Sequence, residues 1–228
     1  MKRVFTHISK VNLWESSESV SGMGSEISYT QVTREFIAQI VSELGIKSIL
    51  DAPCGDFNWM KEVDLSGIHY TGVDIVSEII EQNQQKYAQD HINFFTKDIT
   101  KDPLPQADLI ICRDCLVHLP FYYGYLALKQ FQATGARYLL TTTYPETTKN
   151  QDVPVGSWRA INLCLPPFNF SEPMLLLKEI SAGKGKSDKS LGLWKLEEMN
   201  FANMSDQMNW KIKLINWIRT SFNPSWQL

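Results

Sequence analysis

The chain has 228 residues, 43% of them apolar and 21% charged, a balance that excludes a disordered tail and suits one domain with a full core. Its formal charge of −3 and pI near 5.8 give no overall basic footprint for a phosphate backbone, so nucleic acid is a poor first partner. No run approaches the ~18 apolar residues of a spanning helix, and the N-terminal "MKRVFTHISKVNLW" lacks the apolar core of a secretory signal, so a cytoplasmic protein is expected.

In chain order, residues 15–28, "ESSESVSGMGSEIS", are rich in Ser, Glu and Gly and predict a loop. Phe36, Ile37, Ile40, Val41 and Leu44 then recur at helical spacing, with Gly45 where a helix would stop. "KSILD" and "HYTGVDI" predict strands, "VSEIIEQNQQKYAQ" a helix, "INFFT" a third strand and "ADLIICRD" a fourth. A helix opened by Pro120 follows, "FYYGYLALKQFQAT", and "ARYLLTTTY" is a fifth strand. Short continuous apolar runs alternating with helices argue for an α/β fold, a doubly wound and mostly parallel sheet covered on both faces. Residues 144–170 carry four prolines and no helical period, so an irregular insertion is expected. "MLLLKEI" and "LGLWKLEE" flank the Gly/Lys/Ser-rich "SAGKGKSDKS" as a terminal antiparallel hairpin. Beyond it, Trp210, Leu214, Trp217 and Ile218 share a helical face, with Lys211 and Lys213 off it.

The four cysteines, Cys54, Cys112, Cys115 and Cys164, are too few and too scattered for a disulfide framework. Cys112 and Cys115 form a CxxC, but no second ligand pair stands at similar spacing. Buried thiols are the expectation, and no metal.

Ligands of open α/β sheets bind at the carboxyl ends of the strands, and four predicted strand ends here are polar. Strand one ends in Asp51 and turns through Ala52, Pro53, Cys54, Gly55 and Asp56; strand two ends in Asp74; Asp98 follows strand three; Arg113 and Asp114 close strand four. Asp74 lies 19 positions after Gly55, close to the offset of about 20 at which an acidic group accepts ribose hydroxyls. A nucleoside ligand is implied. A dinucleotide turn wants three glycines and no acidic neighbour for its pyrophosphate, whereas this turn has one glycine between two aspartates. That arrangement suits a cationic nucleoside, and S-adenosylmethionine carries both an ammonium and a sulfonium.

Over residues 47–143 the chain resembles the class I S-adenosylmethionine-dependent methyltransferases. "LDAPCGDF" is similar to the family's acidic, glycine-rich turn, with Pro53 and Phe57 where glycines are usual; "YTGVDIV" resembles the ribose strand, "KDIT" the adenine-side loop and "ADLIICRD" the strand facing the methionine part. The resemblance implies a seven-stranded sheet, completed by the terminal hairpin. It also implies that Asp51 and the backbone from Ala52 through Cys54 to Gly55 hold the methionine moiety. Asp74 would bind the ribose with Ile75 against the adenine, and Asp98 and Ile99 would meet the adenine edge. A weaker resemblance, in "SGMGS", "DAPCGDFNWM" and "CRDCLVHL", is to methyltransferases of glycan assembly.

Methyl transfer is an in-line displacement, so a hydroxyl acceptor needs alignment and a base. Asp114 and His118 stand four apart, on one face if the chain turns helical after strand four, and either could take the proton; Arg113 would pair a carboxylate or hold a ligand. Residues 1–28 would form a lid or loop, with Gly24 and Ser25 near the cofactor, ahead of a core over 29–143. Residues 144–172 would face the acceptor, offering Tyr144, Trp158, Arg159 and Asn162 to a small, hydroxyl-rich molecule such as a sugar or glycan; 173–198 form the hairpin and 199–228 a helical tail. Three other readings are a nucleic-acid or protein methyltransferase, favoured by a basic stripe at Lys184, Lys186 and Lys189; a dehydrogenase, opposed by the acidic turn; and a non-catalytic nucleotide-binding subunit.

Overall fold

The computed structural model describes residues 1–180 and 187–199. The expected tail helix with Trp210, Leu214, Trp217 and Ile218, and Lys184 and Lys186 of the hairpin loop, lie outside the described residues.

Seven strands form one sheet: β1 Ser48–Asp51, β2 His69–Asp74, β3 Ile92–Thr96, β4 Leu109–Cys112, β5 Tyr138–Thr143, β6 Leu175–Lys178 and β7 Ser190–Lys195. Their spatial order is β3-β2-β1-β4-β5-β7-β6. The first five run parallel, while β7 pairs antiparallel with both β5 and β6. The strand order reverses between β1 and β4, and the crevice at that point opens beyond Asp51 and Cys112.

Helices α1 Lys2–Lys10, α2 Gln31–Glu43, α3 Ser77–Tyr87 and α4 Phe121–Ala133 surround the sheet. Alternate strand residues serve opposite faces, as the pleat requires. Leu50, Ile110 and Leu139 join Ala127, Leu128 and Phe131 of α4 on one face. Ile49, Ile111 and Leu140 join Ile37 and Ile40 of α2 and Ile80 of α3 on the other. Fully burying each such Leu or Ile contributes about 1.5–3 kcal/mol, which explains why these strands read as unbroken apolar runs. At Gly192 a Cβ would come 2.2 Å from the Trp194 ring; the missing side chain lets the indole lie across β7 and donate Nε1–H to the Ser171 carbonyl at 2.8 Å.

One region differs from expectation. Residues 2–10, anticipated as part of a loop or lid, form α1. Met1 and Phe5 pack against the α4-side core and Ile8 is buried; that single turn-spaced stripe was too short to separate from a loop by period alone. Residues 15–28 hold only two 3₁₀ turns, Met23–Ser25 and Ile27–Tyr29. The insertion after β5 is irregular and is held by side chains. Asn150 Nδ2 donates to the Asn162 and Pro166 carbonyls at 2.8 and 2.9 Å, and its Oδ1 accepts the Asn162 N–H at 2.8 Å.

Candidate active site

The carboxyl ends of β1, β2 and β4 open into one cleft, covered by α1 and by residues of the 14–25 segment. Its floor is the turn after β1. Gly55 has φ +53°, and a Cβ there would collide with Ser21 Oγ, so only glycine lets the N-terminal segment settle on the turn. Asn83 of α3 donates to the Gly55 carbonyl at 2.8 Å and fixes the turn from behind. Ala52 stays in the sheet, its N–H donating to the Ile111 carbonyl at 2.8 Å, and does not line the cleft. Cys54 and Gly55 do.

Asp51 is 2% exposed and accepts the Tyr70 hydroxyl at 2.8 Å. Burial pushes its carboxyl up to about 7, against the opposing pull of the Tyr70 bond and Arg113. Asp74 accepts the Val76 N–H on Oδ1 at 2.9 Å and the Gly55 N–H on Oδ2 at 3.2 Å, and burial holds it at about 6. Two buried carboxylates at neighbouring strand ends therefore titrate near neutrality, where a cation alongside would ionise both. Farther along the wall are Ile75, Asp98 and Ile99. Asp98 Oδ1 accepts both the Thr100 N–H, at 3.1 Å, and the Thr100 hydroxyl, at 2.7 Å, which makes it a turn former as well as a lining residue.

At the opposite end, Arg113 is buried and spans three elements. Its Nε donates to Glu179 Oε1 and its Nη2 to the Gly24 carbonyl, both at 2.7 Å, and its guanidinium lies 5.3 Å over the Trp59 ring. Asp114 stands in the left-handed region, φ +49°, its N–H donating to Thr142 Oγ1 at 2.8 Å. The expected helical face carrying Asp114 and His118 does not form, because the 3₁₀ turn starts only at Leu116 and Asp114 lies before it. Asp114 pairs with Lys189 and Arg113 instead. Burial acts to raise its carboxyl, but those two cations outweigh it and hold the group at about 2. His118 is half-buried and stacks on Trp14, ring centroids 4.9 Å apart at 29°. Burial lowers its pKa, although Asp114 and the Ser157 carbonyl act in the other sense. Nδ1 lies 3.2 Å from that carbonyl oxygen, which can only accept, so Nδ1 carries the proton and Nε2 keeps a free lone pair.

The 14–25 segment is tied down by the turn after β1. Asp56 accepts the Ser19 hydroxyl at 2.8 Å, the Val20 N–H at 2.9 Å and the Ser21 hydroxyl at 3.3 Å. Asn58 Nδ2 donates to Glu18 Oε1 at 2.6 Å and to the Ser25 carbonyl at 3.0 Å. Ser25 lines the cleft; Gly24 does not, but its carbonyl accepts from Arg113 and it lies against Asp114.

The four residues expected at the acceptor side lie outside the cleft lining. Arg159 is buried over the Phe121 ring and donates to the Leu119 carbonyl at 2.6 Å. Asn162 donates to the Pro145 and Thr147 carbonyls at 3.0 and 3.1 Å. Tyr144 is buried edge-on to Trp158, and Trp158 is 48% exposed. Where those side chains were expected, the lining has Trp14, Phe5, Leu119 and His118. Glu179 carries no sequence signal, and Lys189, read from sequence as part of a basic stripe, belongs to this end of the cleft instead. Lys189 lies 75 residues from its partner Asp114, and nothing local in "SDKSLG" signals the pairing.

The sequence of residues 49–132 matches a methyltransferase-domain family. No curated protein matches the chain. Among solved structures, the fold is similar to the methyltransferase domain of bacterial CtHen1-CN, at 12% identity and TM-score 0.55, over 73% of this chain and 99% of that one. It is equally similar to N-methyltransferase NodS from Bradyrhizobium japonicum WM9, at 12% identity and TM-score 0.55, over 74% and 96% of the two chains. Human N-acetylserotonin methyltransferase, solved with SAM, is 23% identical over 50% of this chain, with a TM-score of 0.43, and the match spans only 34% of its length.

Proposed function

We propose, from the match of residues 49–132 to a methyltransferase-domain family, that the protein transfers a methyl group from S-adenosylmethionine to a hydroxyl oxygen of a small molecule, a sugar or glycan foremost. The observation that carries this reading is the pair of buried carboxylates, Asp51 and Asp74, at adjoining strand ends of one cleft. Their burial leaves them short of charge compensation, and a nucleoside with an ammonium and a sulfonium supplies it. The donor set fits that group: Asp51 would meet the ammonium, and Asp74 would offer ribose hydroxyls the lone pairs left beside its two backbone bonds. Ile75, Asp98 and Ile99, which line the same cleft, would flank the base. Once bound, S-adenosylmethionine provides the activated methyl carbon.

The chain's own work is alignment and proton removal. His118 is the base: its imidazole is neutral at pH 7 and Nε2 is free to take the hydroxyl proton. Asp114, pinned by Lys189 and Arg113, is too weak a base for that step and serves as a fixed anion and hydrogen-bond acceptor. Trp14 backs the imidazole and offers an apolar edge to the acceptor.

A nucleic-acid acceptor loses support from Lys189, which is buried in ion pairs rather than exposed on a basic stripe. A pyridine dinucleotide is opposed by the carboxylates that would face its pyrophosphate. The test is calorimetry with S-adenosylmethionine and NAD side by side, followed by an acceptor screen that reads S-adenosylhomocysteine release, sugars and lipid-linked glycans first. Heat with NAD and none with the sulfonium would overturn the proposal.

A further inference from the structure

Four charged side chains join the proposed transfer site to the terminal hairpin. Arg113 and Asp114 follow β4, Glu179 follows β6 and Lys189 precedes β7. Glu179 and Lys189 face each other across the hairpin, the Glu179 N–H donating to the Lys189 carbonyl at 2.9 Å. The Glu179 side chain has no solvent exposure. Its Oε1 accepts from Arg113 Nε and Thr33 Oγ1, both at 2.7 Å, and its Oε2 lies 3.4 Å from Lys189 Nζ. The Lys189 ammonium also bonds Asp114 Oδ2, the oxygen that Arg113 Nη1 approaches at 3.4 Å.

Two cations and two anions balance, which is the condition for burying such a group at all. Stability alone is a poor reason for it, since apolar replacements of buried ion pairs are often neutral or stabilising. Orientation is the better reason. Asp114 Oδ2 is held by both cations, while among the described residues Oδ1 has a 3.4 Å contact with Thr142 Oγ1 alone. Gly24 closes over the pair: a Cβ there would stand 3.2 Å from Asp114 Oδ2 and 3.6 Å from Lys189 Nζ.

We infer that the terminal hairpin is part of the transfer site, with Lys189 a positioning residue that is itself held by Glu179, fixes Asp114 and with it sets the charge facing His118. The inference rests on the base role proposed for His118. Around that imidazole stand Asp114 from the loop after β4, Lys189 from the hairpin, Arg159 and the Ser157 carbonyl from the insertion, and the uncharged Trp14 ring. Asp114 favours the protonated ring, whereas Arg159 and Lys189 disfavour it.

The experiment is an NMR titration of His118 in the ligand-free protein, assigned among the four histidines with His118→Ala, beside the pH profile of turnover. Lys189→Met removes a cation, so the His118 titration moves up and the acid limb of the rate profile moves with it. Turnover falls about tenfold through loss of alignment, S-adenosylmethionine affinity is unchanged, and Lys189→Arg restores most of the rate. Asp114→Asn removes the anion that favours the protonated ring and moves the titration down, which keeps the test alive if Lys189→Met does not fold. A merely structural cluster would lower the melting temperature in both variants without moving the titration in opposite senses, and that result overturns the inference. A wild-type protein that transfers no methyl group, yet shows the two opposed shifts, would sink the proposed function and leave the charge cluster standing.

Discussion

The two ends of the cleft are built by different means. At the proposed cofactor end, Asp51 and Asp74 close parallel strands and Gly55 and Asp98 lie in the turns that follow, so their places depend on local strand ends and turns. At the other end, proposed to meet the acceptor, Arg113, Asp114 and His118 are oriented by groups from far along the chain: Gly24 is 89 residues from Arg113, Glu179 is 66 and the Ser157 carbonyl is 39 from His118. The first end is a product of strand geometry and tolerates little variation in backbone. The second is assembled by side chains, and its specificity can change without altering the sheet.

The largest expected effect falls at the cofactor end. Asp51→Ala should weaken S-adenosylmethionine binding by ~100-fold or more in calorimetry, the range for removing one partner of a buried charge pair; unchanged affinity would remove Asp51 from the site and blur the distinction between the two ends. His118→Ala should do the converse, with turnover down ~100-fold and cofactor affinity near normal. Loss of affinity in that variant would show that the two ends are one unit.

A smaller effect concerns pH. Burial raises Asp51 to about 7 and Asp74 to about 6, above their unfolded values near 4. Each therefore binds protons more tightly when folded, so their contribution to stability is present below about pH 4 and is lost as pH rises through about 6 to 7. A cationic ligand meets the ionised forms and releases those protons. The thermal stabilisation given by S-adenosylmethionine should accordingly grow between about pH 5.5 and 8, and a flat profile would mean that neither carboxylate faces its charge. The smallest effect is expected at the strap joining the two ends: Asp56→Ala frees three donors of residues 19–21 and should speed cofactor dissociation about tenfold, at the lower end of about 0.5 kcal/mol net per lost bond. Stopped-flow displacement reads it, and an unaltered off-rate would mean that the strap does not hold the ligand in.

What the sequence disclosed follows the same division. "SILD", "LIIC" and "YLL" announce buried parallel strands because burial on both faces removes alternation, and the 19-residue step from Gly55 to Asp74 is a local spacing. Arg159 and Asn162 looked like acceptor ligands because their donors were visible and the carbonyls that take those donors, at Leu119, Pro145 and Thr147, were not. Composition gives a side chain's capacity for hydrogen bonds, and only the fold gives what remains of it. For the same reason Lys189 read as a surface charge, whereas the hairpin carries it inward to Asp114. Asp114 and His118 were found by proximity in sequence, but their relation was misjudged, since the left-handed backbone at Asp114 breaks the turn that would have paired them.

α1 reaches across the cleft and is joined to α3 by Lys10 and Glu78, 2.9 Å apart and with side chains 62% and 46% exposed. Mobile counterions weaken so open a pair, whereas the enclosed cluster at Asp114 is largely shielded from them. Ionic strength is therefore a handle on how firmly α1 is held to α3 that leaves the charges around Asp114 alone.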